Sequence, residues 1–306
     1  MSSVAAGALQ LGGVALAPLL PGTIQSVKAR LQGRRGASPL QPYRVLRRLW
    51  GKSAVDPEGS GPIYRLAPAV AVACMLVAFA LVPLGGRSGA WSLGHDALVL
   101  VGMLALARFA LAAAAWDTSN GFALMGVARD LTLAVFGEAL LVLALLVAAL
   151  PARSTDLLVM SDAAAGSGIW GEPAHWCGVL AFALVVLVET GRQPIDNPDT
   201  HLELTMIHEG PLLEYAGRDL AYLHWVAAAR HWLMLTLAAA LFLPHPRDFA
   251  GGLAVLAVTV LVLCVVLAIT ETAQAKMRIL RVPSLLAGGS IVALVGIGSW
   301  IAGNAA

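Results

Sequence analysis

The residues from Glu189 to Asp219 read ETGRQPIDNPDTHLELTMIHEGPLLEYAGRD, with Glu189, Asp196, Asp199, Glu203, Glu209, Glu214 and Asp219 set against Arg192 and Arg218. The acids are interleaved with Leu202, Leu204, Met206, Ile207, Leu212 and Leu213. That pattern suits a half-buried segment lying on a membrane or a partner, where burial raises a carboxylate's pKa and a nearby arginine lowers it. Carboxylates poised in this way pass protons along a line or hold a basic partner. A second group of ionisable residues falls inside apolar stretches: Arg108, Glu138, His224, Arg230 and His231, with Glu189 and Glu271 near the ends of others. A charge at the centre of a membrane helix costs about 3 kcal/mol on insertion scales, so each is a functional candidate. Glu138 follows Asp130 by eight positions, about 12 Å along a helix.

Other chemistries are poorly served. Cys74, Cys177 and Cys264 are each alone in an apolar stretch, and no CxxC pair occurs. The chain is therefore expected to hold no iron–sulfur, nickel or zinc site of its own. His201 and His208 are seven apart without an HExxH motif, so a metal site is not expected. No Walker A loop, dinucleotide fingerprint or nucleophile elbow appears.

The elements that must position these groups are membrane helices. Of 306 residues, 58% are hydrophobic and 12% charged, with a mean hydropathy of +0.79. A soluble domain carries about 25% charged residues, so a soluble enzyme, a disordered chain and a nucleic-acid binder are all excluded. Eight apolar segments are predicted as spans: 4–20, 65–84, 95–115, 127–150, 175–190, 220–243, 250–270 and 284–303. They form one membrane domain covering 1–306, an all-α polytopic fold. Lys28, Arg30, Arg34, Arg35, Arg44, Arg47, Arg48 and Lys52 fall between the first two spans, and Arg129, Arg192, Arg218, Lys276, Arg278 and Arg281 fall in the other odd-numbered loops. The even loops hold only Arg87, Arg153 and Arg247. Basic residues mark the cytoplasmic side, so both termini are expected outside, with a basic loop (21–64) and an acidic loop (191–219) inside. Within the basic loop, Val45, Leu46, Leu49 and Trp50 share one helical face and Arg44, Arg47 and Arg48 the other. This suits a short helix at the membrane surface, either anchored on anionic lipid or docked to a cytoplasmic partner.

The run Glu189-Thr-Gly-Arg192-Gln-Pro194-Ile-Asp196-Asn-Pro198, followed by Thr200-His201-Leu-Glu203-Leu-Thr-Met-Ile-His208-Glu209 and Glu214-Tyr215-Ala-Gly217, resembles subunit 1 of respiratory complex I, the membrane subunit that borders the quinone pocket. Its wording is more similar to the homologous membrane anchor of formate hydrogenlyase and other group 4 nickel–iron hydrogenases. Trp116-Asp117-Thr118, Met125-Gly126-Val-Ala-Arg129-Asp130 and Glu271-Thr-Ala-Gln-Ala-Lys276-Met-Arg278 extend the likeness over nearly the whole chain. Ala37, Val45, Asp130 and Ala139 depart from the pattern.

The resemblance implies a non-catalytic subunit in a bacterial inner membrane. It would anchor a nickel–iron large subunit and iron–sulfur small subunits beside antiporter-like membrane subunits. By the same resemblance, Glu138, Glu189, Glu203, Glu209 and Glu214 match acids of a proton route. Arg34, Arg35, Gln41, Arg129, Asp130, Arg192, Pro194 and Asp196 match a chamber or partner interface, and a quinone is a possible ligand of it. The readings left open are a quinone-binding subunit of a complex I-like enzyme, a hydrogenase-related complex without nickel, and a standalone ion transporter. The chain shows no internal repeat of the kind transporters carry.

Overall fold

The computed structural model describes residues 10, 12–196, 207–246 and 248–304. They are almost entirely helical and contain no β-strand beyond one isolated bridge, Leu84 to Arg87. The helices are α1 (Leu19–Leu31), α2 (Gln41–Trp50), α3 (Pro62–Leu81), α4 (Asp96–Thr118), α5 (Gly121–Ala152), α6 (Leu157–Ala164), α7 (Pro173–Glu189), α8 (Gly217–Phe242), α9 (Phe249–Ala273) and α10 (Val282–Asn304). Short 3-10 turns at Gly210–Leu212 and Ile279–Arg281 lead into α8 and α10.

Among the described residues, six helices are long and apolar enough to cross a membrane: α3, α4, α5, α8, α9 and α10 with its preceding turn. Of the other two expected spans, 175–190 corresponds to α7, which has 17 residues. That is about 26 Å of helix, slightly short of a hydrocarbon core about 30 Å thick. The expected first span, 4–20, is described only in part. Residues 12–16 are helical, a turn follows at 17–18, and α1 then runs to Leu31.

This corrects the expected start of the basic loop at residue 21. Pro21-Gly22 reads as a helix end, yet Pro21 sits in the first turn of α1, where a missing N–H deprives no intrahelical carbonyl. Gly22 is required for contact, since a Cβ there would lie 2.1 Å from the Pro39 carbonyl oxygen. The loop therefore runs from Gln32 to Gly61, and Lys28 is a buried helix residue. At the acidic loop's far end, α8 begins at Gly217, so Arg218 and Asp219 lie in its first turn.

α8 is the most buried span and touches α1, α2, α3, α6, α7 and α9. α5, α7 and α10 pack together on one flank, α3 with α4 on another, and α1 with α9 on a third. The core holds Leu20, Ile24, Tyr64, Phe79, Leu104, Leu140, Phe182 and Met234. The surface helix α2 forms as its periodicity predicts. Val45, Leu46 and Leu49 are half-buried, Arg44, Arg47 and Arg48 exposed, and Trp50 meets Tyr222 of α8 edge-on at 4.9 Å.

Candidate functional site

Arg108, in the interior of α4, is 5% exposed and holds three carboxylates. Its Nη2 donates to both Glu189 oxygens at 3.0 Å, its Nη1 to Glu138 at 2.5 Å, and its Nε lies 3.5 Å from Asp130. Glu189 ends α7, while Asp130 and Glu138 are two turns apart on α5. Arg230 of α8 approaches Glu189 from the other side at 3.8 Å. From Asp130 the line continues to His208 Nε2 (3.7 Å), from His208 Nδ1 to Asp196 (3.5 Å), and from Asp196 to Lys276 Nζ (2.8 Å). An unpaired buried ion is costly, so buried charges stand in partnerships such as these.

The charge balance of this line has a consequence. Among the described residues it contains four carboxylates (Asp130, Glu138, Glu189, Asp196) and three permanent cations (Arg108, Arg230, Lys276). A protonated His208 balances these described charges. A cavity of about 100 Å³ borders Arg108, Asp130, Glu189, His208 and Arg230. One water needs about 10–15 Å³ by this measure, so the cavity has room for several.

A separate triad fixes the start of the acidic loop. Glu271 of α9 is buried between Arg192 Nη1 (2.9 Å) and Lys28 Nζ of α1 (3.3 Å). Beside it the Gln193–Pro194 peptide is cis, and the Pro194 carbonyl accepts from the Met277 amide at 2.8 Å. The acidic loop is thereby tied to the linker between α9 and α10. Its far end rests on α5, where Gly210 meets Gly126. A Cβ on either glycine would lie 2.7 Å from the other's Cα. Tyr215 then stacks on Tyr64 with ring centroids 4.4 Å apart. Tyr215 donates its hydroxyl to the Tyr64 carbonyl and Tyr64 donates to the Glu214 carbonyl.

Burial opposes charging of His208, but contact with Asp196 and the field of Asp130 outweigh it and hold its pKa above the ordinary value. Burial would raise Asp196, yet His208 and Lys276 hold its carboxyl well below the usual aspartate range. The His208 pairs contribute fully below the ordinary histidine value of about 6.5 and are lost as pH rises through the raised value. The Asp196 pairs contribute above the ordinary aspartate value of about 3.9 and are lost as pH falls through the depressed one. The loop is therefore expected to be held most firmly under mildly acidic conditions and to loosen on the alkaline side. Amide exchange of residues 207–216 against pH measures this, and His208→Gln is expected to abolish the alkaline loosening.

The structure unites Glu138, Glu189, Asp130 and Asp196 in the ion line, and Arg192 and Pro194 beside it. Glu214 lies elsewhere, accepting a short hydrogen bond from Asn120 Nδ2, while Glu209 is half-buried and precedes the Gly210–Leu212 turn. Glu203 lies outside the described residues. Arg34 and Arg35 are exposed on the basic loop, Gln41 opens α2, and Arg129 is half-buried on α5. None of these four lines the cavity. His208, Lys276 and Lys28 were not singled out from the sequence as members of the site. The signal available for Lys28 was a lysine amid the apolar residues Ile24, Val27 and Leu31. No group of three or more His, Cys, Asp or Glu suited to a metal occurs among the described residues.

The chain matches the NADH dehydrogenase family over residues 5–297. It belongs to that family. It is 35% identical over 297 residues to hydrogenase-4 component C of Escherichia coli (strain K12), covering 94% of this chain and 92% of that protein. It is 34% identical over 292 residues to formate hydrogenlyase subunit 4 of the same organism, covering 90% and 91%. Among solved structures, a chain of the membrane-bound sulfane sulfur reductase, an archaeal respiratory membrane complex, superposes with a TM-score of 0.82. That match has 20% identity and covers 98% of this chain and all of the other. It shows that the fold is shared. This chain is thus a multi-pass helical membrane protein whose family includes subunits of hydrogenase and formate hydrogenlyase complexes.

Proposed function

We propose that the chain is the non-catalytic membrane subunit of a proton-translocating, hydrogenase-type complex in a bacterial cytoplasmic membrane. It anchors the soluble redox arm and couples electron transfer there to proton movement along Asp196, His208, Asp130 and Glu138/Glu189, with Lys276, Arg108 and Arg230 as fixed counter-charges and water of the adjoining cavity carrying the proton past Arg108. The observation that carries this reading is the ion line itself. It runs from the acidic loop into the helix bundle in steps of 3.7 Å or less and borders a cavity with room for water. Each of its carboxylates faces a cation or His208, so a proton moving along it never leaves an isolated buried charge. Electrons would pass in partner chains, since the three cysteines here stand apart on α3, α7 and α9 and supply no cluster ligand set.

The partners proposed are a nickel–iron large subunit, iron–sulfur small subunits and antiporter-like membrane subunits. Isolation of the chain in a gentle detergent, with mass spectrometry and metal analysis, tests this. Nickel together with iron–sulfur proteins is the expected result. The same partner set without nickel moves the assignment to a hydrogenase-related or quinone-linked complex. Recovery of the chain alone, under conditions that preserve other membrane complexes, contradicts the assembly.

A further inference from the structure

At the end of the bundle opposite the acidic loop, α5 and α10 border an open groove of about 720 Å³. Its wall is apolar, formed by Leu146 and Leu150 of α5 and Ile301 of α10. Its lip is polar, formed by Arg153 and Thr155 with His95, whose ring nitrogen lies 3.0 Å from the Thr155 hydroxyl. Arg153 is exposed and has no carboxylate or other partner among the described residues. Its backbone is left-handed (φ 50°), closing α5 at the position where glycine is the residue of least strain. An arginine stands there despite that strain, and no described residue meets its charge. The groove lies on the outer surface of two candidate spans, with Leu146 and Ile301 themselves exposed.

We propose that this groove is a binding site for an anionic phospholipid of the leaflet facing away from the acidic loop. The phosphate sits on Arg153 with the Thr155 hydroxyl beside it, and one acyl chain lies along Leu146, Leu150 and Ile301. An apolar trough about 10 Å long, capped by an exposed cation without a partner among the described residues, suits the headgroup end of such a lipid, and that charge favours a net-negative headgroup over a zwitterionic one. The site would brace the α5–α10 contact from the side opposite the ion line.

The test uses the intact complex, purified in mild detergent, stripped of lipid and exposed to phosphatidylglycerol or phosphatidylcholine, with bound lipid counted by native mass spectrometry. Arg153→Gly removes the charge and suits the left-handed backbone, so the variant is expected to fold. It should retain about five-fold less phosphatidylglycerol, the factor expected for one interfacial cation. Arg153→Lys should keep most of it, and Ala149→Trp should displace it with the charge intact. Equal retention by the wild type and Arg153→Gly would overturn the proposal, as would equal binding of phosphatidylcholine. A photocrosslinker at Ile301 that captured a partner subunit instead of lipid would also overturn it.

Discussion

Replacing Arg108 with methionine is expected to destabilise the protein by about 3–5 kcal/mol, the cost of breaking a buried ion pair by removing one partner. The substitution strips Glu189 of its bidentate cation and leaves it only Arg230 at 3.8 Å, while Glu138 and Asp130 lose their shared partner. Glu189 is 2% exposed, and the small cavity beside it is a poor substitute for a paired guanidinium. The loss would appear as a lowered thermal midpoint in detergent and a smaller fraction of chain assembled into its complex. Arg108→Lys is expected to recover only part, because one ammonium cannot reach three carboxylates on two helices. Arg108→Met with Glu189→Met should be less damaging than the sum of the two singles, since the pair is then removed together. Strict additivity would mean that the two residues do not interact.

The second large effect is expected at Glu271. This carboxylate lies between Arg192 and Lys28, so the triad carries a net charge of +1. Glu271→Gln removes the carboxylate that both buried cations share and is again expected to cost about 3–5 kcal/mol. Lys28→Met leaves the one-to-one Arg192–Glu271 pair and is expected to be far milder. Because Arg192 heads the acidic loop and Pro194 is bonded to Met277, the Glu271→Gln defect should spread to that loop. Limited proteolysis within the loop should accelerate in Glu271→Gln and stay near wild type in Lys28→Met. Equal behaviour of the two variants would show that the triad does not hold the loop.

Much of this architecture was legible beforehand, for identifiable reasons. The six longest spans and α2 declared themselves because apolar length and a 3.6-residue periodicity are local properties. Glu138, Glu189 and Arg108 stood out because an ionisable residue inside an apolar run is expensive. What the sequence could not show is which of them meet. Arg108 and Glu189 are 81 positions apart, and Lys28 and Glu271 reach each other from opposite ends of the chain. Lys28 looked like one more topology-setting cation because Pro21-Gly22 imitates a helix end. Lys276 looked like another because it follows a span, and only the fold turns it towards Asp196. His208 looked like a candidate ligand without partners, whereas the chain's path places it between two aspartates.

The central claim is that protons move through the ion line, and one substitution addresses it directly. Glu138 is the least buried of the carboxylates held by Arg108, with a side chain 30% exposed. Glu138→Gln keeps an acceptor for the Arg108 guanidinium, so the complex is expected to assemble. The measurement is the number of protons translocated per electron pair by the purified complex in sealed vesicles, with redox turnover recorded in parallel. Glu138→Gln is expected to keep redox turnover but to lose most of the translocated protons. An unchanged stoichiometry in a fully assembled variant would contradict it and leave anchoring as the role of the chain.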